Sequence, residues 1–348
     1  MNQKVIYSTL LILLASCTSE LSETPDLIQG QEQEAHVQFS VSIESQQEEH
    51  SRSAITDYYL PNDSEVGIYA LKGTITNGKF SVTENKNEGW EWDSKNIQNN
   101  FSNAKYIAYN FTNPEDPNQT VYNQLLPETG VGTGKFPSNG ALRFYAYYPY
   151  DENTTTGEAG DGSGQPLAPT IKIQIGEDIE TTTDYLYTGA IDIPSTQIKP
   201  VNLHFKHALG RFNIFVHTEQ NTGDWRDYPS IKKISIETFK SQEGIMNLET
   251  GTIQPGTAKF YTFEKEFNPP YYIQYKKSSK ELKPIYSNMF IPNVDGQEQF
   301  LYKINLTIEN SEGEESVVEY KKSALENHKI KINAGNITNL YINYNRNE

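Results

Sequence analysis

A chain of 348 residues is longer than one hydrophobic core usually fills, so two domains are expected. Apolar residues make up 36% and charged residues 21%, and with 23 Tyr but only three Met the balance suits β-structure better than helical bundles. A formal charge of −16 argues against the basic face that phosphate needs, so no nucleic-acid partner is expected; the single Cys excludes a disulfide framework or a cysteine zinc cage.

Lys4 precedes an apolar stretch from Val5 to Ala15, too short to cross a bilayer and the size of a signal-peptide core. It ends in Leu14-Ala15-Ser16-Cys17, which resembles the lipobox of bacterial lipoproteins, where the Cys becomes the lipidated first residue after cleavage. By that resemblance residues 1–16 are a signal peptide, and Cys17 carries the lipid that holds the chain to a Gram-negative outer membrane. Residues 17–34, rich in Ser, Glu, Gln and Thr, cannot build a core and read as a flexible tether.

Alternation begins next: Val37, Phe39, Val41 and Ile43 share one face, with Gln38, Ser40, Ser42 and Glu44 on the other, which predicts a half-buried strand. Further strands are expected at Val66–Leu71, around Trp90 and Trp92, at Lys105–Phe111, and at Leu142–Tyr148 before Pro149. Asp151–Gly164 reads as a loop, followed by alternation at Ile171, Ile173 and Ile175 and a short strand over Asp184–Thr188. Ile191–Pro200, with two prolines and little periodicity, is the expected boundary between an N-terminal domain (35–195) and a C-terminal domain (196–348). Beyond it strands are expected at Val201–Phe205, Phe212–Val216, Ile231–Phe239, Phe260–Phe267, Phe300–Ile308 and Val317–Tyr320. The last two are Ile330–Ala334 and Leu340–Tyr344, with a turn at Gly335-Asn336. No window carries a helical stripe, and many short strands with frequent turns predict an all-β chain of two β-sandwiches.

The sequence carries few residues in catalytic or metal-binding patterns. His204 and His207 are three apart and point to opposite faces of a strand, so a shared metal is not expected. There is no Gly-x-Ser-x-Gly elbow, phosphate loop or His-Glu-x-x-His, and the scattered carboxylates make no catalytic pattern; neither enzyme activity nor a cofactor is expected. Asp151, Glu152, Glu158 and Asp161 do not fit a calcium-loop spacing. The many Tyr residues are expected to pack across strands, with stacking on sugars as the alternative use.

Several segments in order resemble the fimbrillin family, pilus subunits that assemble from lipoprotein precursors. They are the lipobox at Cys17, an early strand closing at Arg52, Asp63-Ser-Glu-Val-Gly-Ile-Tyr-Ala70, Phe136-Pro137 and Arg143–Pro149. Asp184-Tyr-Leu-Tyr187, Val201–Leu209, Met289-Phe-Ile-Pro292 and Ala334–Tyr341 complete the set. The resemblance implies two tandem transthyretin-like β-sandwich domains and a fimbrial function. It also implies cleavage between Arg52 and Ser53 by an arginine-specific protease, which frees residues 18–52 with the strand of Val37, Phe39, Val41 and Ile43. The groove left behind takes a strand from another subunit, and the C-terminal strand, with Leu340, Ile342 and Tyr344 alternating, is the candidate donor. Other fimbrial subunits are the implied partners, with host or bacterial surface ligands beyond them. The alternative is a surface lipoprotein that binds glycans without polymerising.

Overall fold

The computed structural model describes residues 37–44, 59–82, 101–128 (without 102, 114 and 115), 136–153 (without 137 and 138), 168–197 (without 178 and 180), 200–219, 228–275, 282–292, 301–321 and 331–344. Among these every regular element is a strand, as the alternation predicts, and no helix is long and apolar enough to cross a membrane.

The first ten strands are β1 (Phe39–Ile43), β2 (Glu65–Thr76), β3 (Lys79–Val82), β4 (Ala104–Asn113), β5 (Asp116–Pro127), β6 (Ala141–Tyr148), β7 (Thr170–Gln174), β8 (Leu186–Tyr187), β9 (Ile191–Pro194) and β10 (Val201–His207). All but β7 form one sheet in the order β3-β2-β4-β5-β1-β10-β8-β6-β9. Because β6 also pairs with β2, from Gly67↔Tyr147 to Gly73↔Ala141, the strands β2-β4-β5-β1-β10-β8-β6 close into a barrel-like ring. A side chain at Gly67 would overlap the Tyr147 ring, so glycine is what lets β2 and β6 come together there. At the outer edge β9 is clipped to β6 by Arg143, whose Nε and Nη2 donate to the two carboxylate oxygens of Asp192 at 2.6 and 2.9 Å.

The remaining strands are β11 (Gly210–Thr218), β12 (Ser230–Lys240), β13 (Glu243–Asn247), β14 (Ile253–Pro255), β15 (Lys259–Tyr272), β16 (Gln274–Tyr275), β17 (Tyr286–Phe290), β18 (Leu301–Glu309), β19 (Glu315–Lys321) and β20 (Ile337–Asn343). One four-stranded sheet has β11 at its centre, with β16 and β17 on one side and β20 on the other; a second runs β15-β12-β18-β19. Phe212, Ile214 and Val216 from the first meet Ile231, Ile234, Ile236, Ile304 and Leu306 from the second in one buried core. A separate core fills the ring, and β7, β13 and β14 close over it as a three-stranded sheet through Ile171, Ile173, Met246 and Ile253.

Three local expectations change. Ile191–Pro194, read as part of an irregular connection, is a strand paired with β6, and β10 beyond it still belongs to the first core. Ile330–Ala334 supplies no strand among its described residues: β11 already has β17 and β20 beside it, and Ile332 is instead buried from a loop. Asp184–Thr188 contributes only the two residues of β8 to a ladder. Gly335, at φ +70°, makes the expected turn before β20, where the Asn336 N–H donates to Asn333 O at 3.2 Å.

One cation is enclosed at the margin of the second core. Lys240 is 8% exposed, its Nζ lies 4.6 Å from the centre of the Phe290 ring, and burial lowers its pKa to about 8 against a partial opposing pull from Glu177. The folded-state value lies below the ordinary 10.5, so the charged amine penalises the fold at every pH below about 8 and the penalty fades as pH rises towards 10.5. Lys240→Met is expected to stabilise the protein by roughly 1–3 kcal/mol at neutral pH in urea titrations. The gap between variant and wild type should narrow above pH 8.

Candidate functional site

The first strand lies in the interior of the ring, with a partner on each side. It runs parallel to β10, from Phe39↔Val201 to Ile43↔Phe205, and antiparallel to β5, from Phe39↔Leu125 to Val41↔Asn123. Flanking bonds extend the parallel ladder: the Val201 N–H donates to Gln38 O at 2.7 Å and the Glu44 N–H to Phe205 O at 2.9 Å. The alternation read from sequence is the alternation observed, with Val37, Phe39, Val41 and Ile43 all buried against Val201, Leu203 and Phe205. On the opposite face Ser42 Oγ lies 3.0 Å from His204 Nδ1.

Phe39 reaches furthest. Its ring stands edge-on, at 86° each, to Phe101 (6.0 Å between centres), Tyr106 (5.2 Å) and Phe144 (5.4 Å), and Phe136 packs on Phe144 in turn. Tyr106 and Phe144 sit in strands visible in the sequence, but nothing announced that they converge, and Phe101 stands alone in a polar stretch with no pattern to mark it. Burying the four side chains of this face contributes about 1.5–3 kcal/mol each, and each ladder hydrogen bond about 1 kcal/mol net. Without this strand the ring would be open, with unpaired edges on β5 and β10 and an apolar floor between them.

The other expected strand is at a sheet edge. Among the described residues β20 pairs only with β11, parallel, from Arg211↔Ile337 to His217↔Asn343. Ile342 is buried in the second core, with Leu340 and Tyr344 partly buried against it. Asn339 accepts a 2.9 Å hydrogen bond from Asn213 Nδ2, and Tyr341 stacks on Phe215 at 4.9 Å. Thus β1 and β20 have the same polarity relative to β10 and β11, two strands joined by only Ala208 and Leu209.

Cys17, Arg52 and Ser53 lie outside the described residues. The two histidines point to opposite faces as the alternation requires: His204 is exposed, while His207 is buried with Nδ1 2.8 Å from Asp184 Oδ2. No group of three or more metal-ligating side chains occurs among the described residues.

An interior first strand, a terminal strand at an edge and two apolar cores define an all-β protein organised around strand placement. The model of the family described as fimbrillin-like matches residues 54–348, and the chain belongs to that family of fimbrial subunits. It is similar to solved structures of candidate cell adhesion proteins from Bacteroides uniformis (17% identity over 88% of this chain and 94% of that one, TM-score 0.48) and Bacteroides ovatus (14%, 90% and 94%, TM-score 0.49). A fimbrial assembly protein from Parabacteroides distasonis is 13% identical over 90% of this chain and 94% of its own, with a TM-score of 0.40. No curated protein matches.

The aromatic contacts of Phe39 set an expected cost. Phe39→Ala should destabilise by about 3–5 kcal/mol in urea denaturation, whereas Ser40→Ala, on the other face, should stay within about 0.5 kcal/mol.

Proposed function

We propose that this chain is the lipid-anchored precursor of a fimbrial subunit of the bacterial surface, assembled by strand replacement after proteolysis. In this reading Cys17 carries the lipid in the outer membrane, and an arginine-specific protease cuts between Arg52 and Ser53. The segment 18–52 then leaves, and a strand from another subunit closes the ring. The observation that carries it is the position of β1: an interior strand, near the N-terminus and before the proposed cut, completing an otherwise open ring. The family match supports it further, since it starts at residue 54 and omits that strand.

The physics of replacement favours an extended apolar segment. Loss of β1 forfeits roughly 6–12 kcal/mol of side-chain burial and leaves two edges whose N–H and C=O groups need partners. Another strand recovers both terms at once, by adding main-chain bonds and filling alternate sockets. The edge strand β20, already parallel to its neighbour and apolar on one face, is the segment this chain offers to a next subunit. The two cores correspond in this reading to tandem transthyretin-like sandwiches, and the role requires no catalysis or cofactor. Anchor and tip positions in the fimbria use the same bed without requiring β20 to be donated.

Limited digestion of the full chain without lipid by an arginine-specific protease tests the reading. A cut after Arg52, located by mass spectrometry and followed by growth in light scattering, is expected for a stalk subunit. A cut without growth, relieved by adding a partner subunit, identifies an anchor or tip. Resistance at Arg52 in a chain that stays monomeric counts against strand replacement.

One observation favours a second reading, a glycan-binding surface lipoprotein. Phe239 and Phe260 are 38% and 56% exposed with ring centres 4.9 Å apart, and Tyr302 lies 4.9 Å from Phe260, all on the outer face of the β15-β12-β18-β19 sheet. Saturable binding of a polysaccharide by the uncleaved monomer, lost on Phe260→Ala, would support it; polysaccharide binding that survives this substitution would remove the patch from consideration.

A further inference from the structure

The bed of β1 is not a uniform apolar groove. Its four sockets hold Val37, Phe39, Val41 and Ile43, and the second is walled by three aromatic rings that meet the ring of its occupant. Phe101, Tyr106 and Phe144 are each 1% exposed or less, and each meets Phe39 at 86°. Three edge-on contacts to one ring fix its volume and its plane together. An aliphatic side chain in that socket would leave a void that close-packed neighbours cannot collapse to fill.

The chain's own C-terminal strand does not meet this requirement in any register. Alternation leaves few possibilities, because a slip by one residue turns every side chain to the other face. Threading Thr338, Leu340, Ile342 and Tyr344 into the sockets puts Leu340 where Phe39 stands. A shift by two residues puts Ile342 there. A further shift places Tyr344 in the aromatic socket and carries Arg346 and Glu348 into the third and fourth sockets, at the cost of burying charge. The other face offers Tyr341 to the socket, but with Asn339, Asn343 and Asn345 in the remaining three.

Resting on the strand-replacement reading above, we infer that the Phe39 socket is the specificity determinant of the bed and that its preferred occupant is a strand of a different subunit. That strand carries an aromatic residue second among four alternating apolar positions. The partner recognised by this rule is heterologous, and the chain's own β20 is suited to a bed of other dimensions.

Competition between synthetic strands tests this on the full chain cut after Arg52. Four peptides compete with a labelled peptide of residues 35–45: that sequence itself, its Phe39→Leu form, residues 336–345, and their Leu340→Phe form. Phe39→Leu is expected to weaken binding by about tenfold or more, and Leu340→Phe to strengthen the C-terminal peptide by a similar factor. If the 35–45 peptide binds while both substitutions leave affinity unchanged, socket selectivity is wrong and strand replacement stands. Equal binding of the unaltered 336–345 and 35–45 peptides, or growth of the cut chain alone in light scattering, overturns the preference for a foreign strand. Failure of every peptide to bind, the 35–45 sequence included, sinks strand replacement and the inference with it.

Discussion

The parallel pairing of β1 with β10 is the constraint on which the first half of the molecule depends. Five residue pairs, from Phe39↔Val201 to Ile43↔Phe205, join segments far apart in sequence, and on the other flank β5 adds its antiparallel ladder. Two non-local ladders must therefore form around one short strand before the ring can close, and the chain entropy of both closures is offset mainly by the apolar face of that strand. The aromatic group around Phe39 concentrates this gain at a single side chain, in contact with β4 and β6 as well as its own neighbours in the sheet.

The second half is assembled differently. Its core lies between two four-stranded sheets, and its strands reach their partners largely without a closed ring. The β12 ladders to β15 and β18 both shift register between Ile231 and Lys233, which lets Ile231 and Ile234 face the core on either side of the irregularity. β7, from the first half, pairs with β13 from the second, so the three-stranded sheet ties the two stretches of sequence together over the first core.

Much of this was legible in the sequence because period-two alternation survives wherever one strand face is wet. Val37 to Ile43 and Val201 to His207 both alternate without a fault, down to the placement of His204 outside and His207 inside. Burial was less legible than facing. Phe212, Ile214 and Val216 of β11 enter the core as their alternation predicts, but β11 is buried at every position from Gly210 to Thr218, and the polarity of Arg211, Asn213 and His217 gave no sign that the second face is covered too. Pairing was not legible either: alternation identifies a face but is silent on neighbours, so neither the ring closure through β2 and β6 nor the convergence of Phe101, Tyr106 and Phe144 could be read. At Ile191–Pro194 the closing Pro194, with Pro200 beyond it, masked a strand; the proline is tolerated there because β9 lies at the sheet edge.

The short link through Ala208 and Leu209 has a mechanical meaning. β10 borders the strand in the ring and β11 borders the terminal strand, and only two residues separate them. A pull along the axis of the strand in the ring is met by its ladders to β5 and β10 acting together, in shear, and cannot open them one bond at a time. The load then passes from β10 into β11 through a connection too short to stretch appreciably. The chain thus contains a short covalent path from one core to the other.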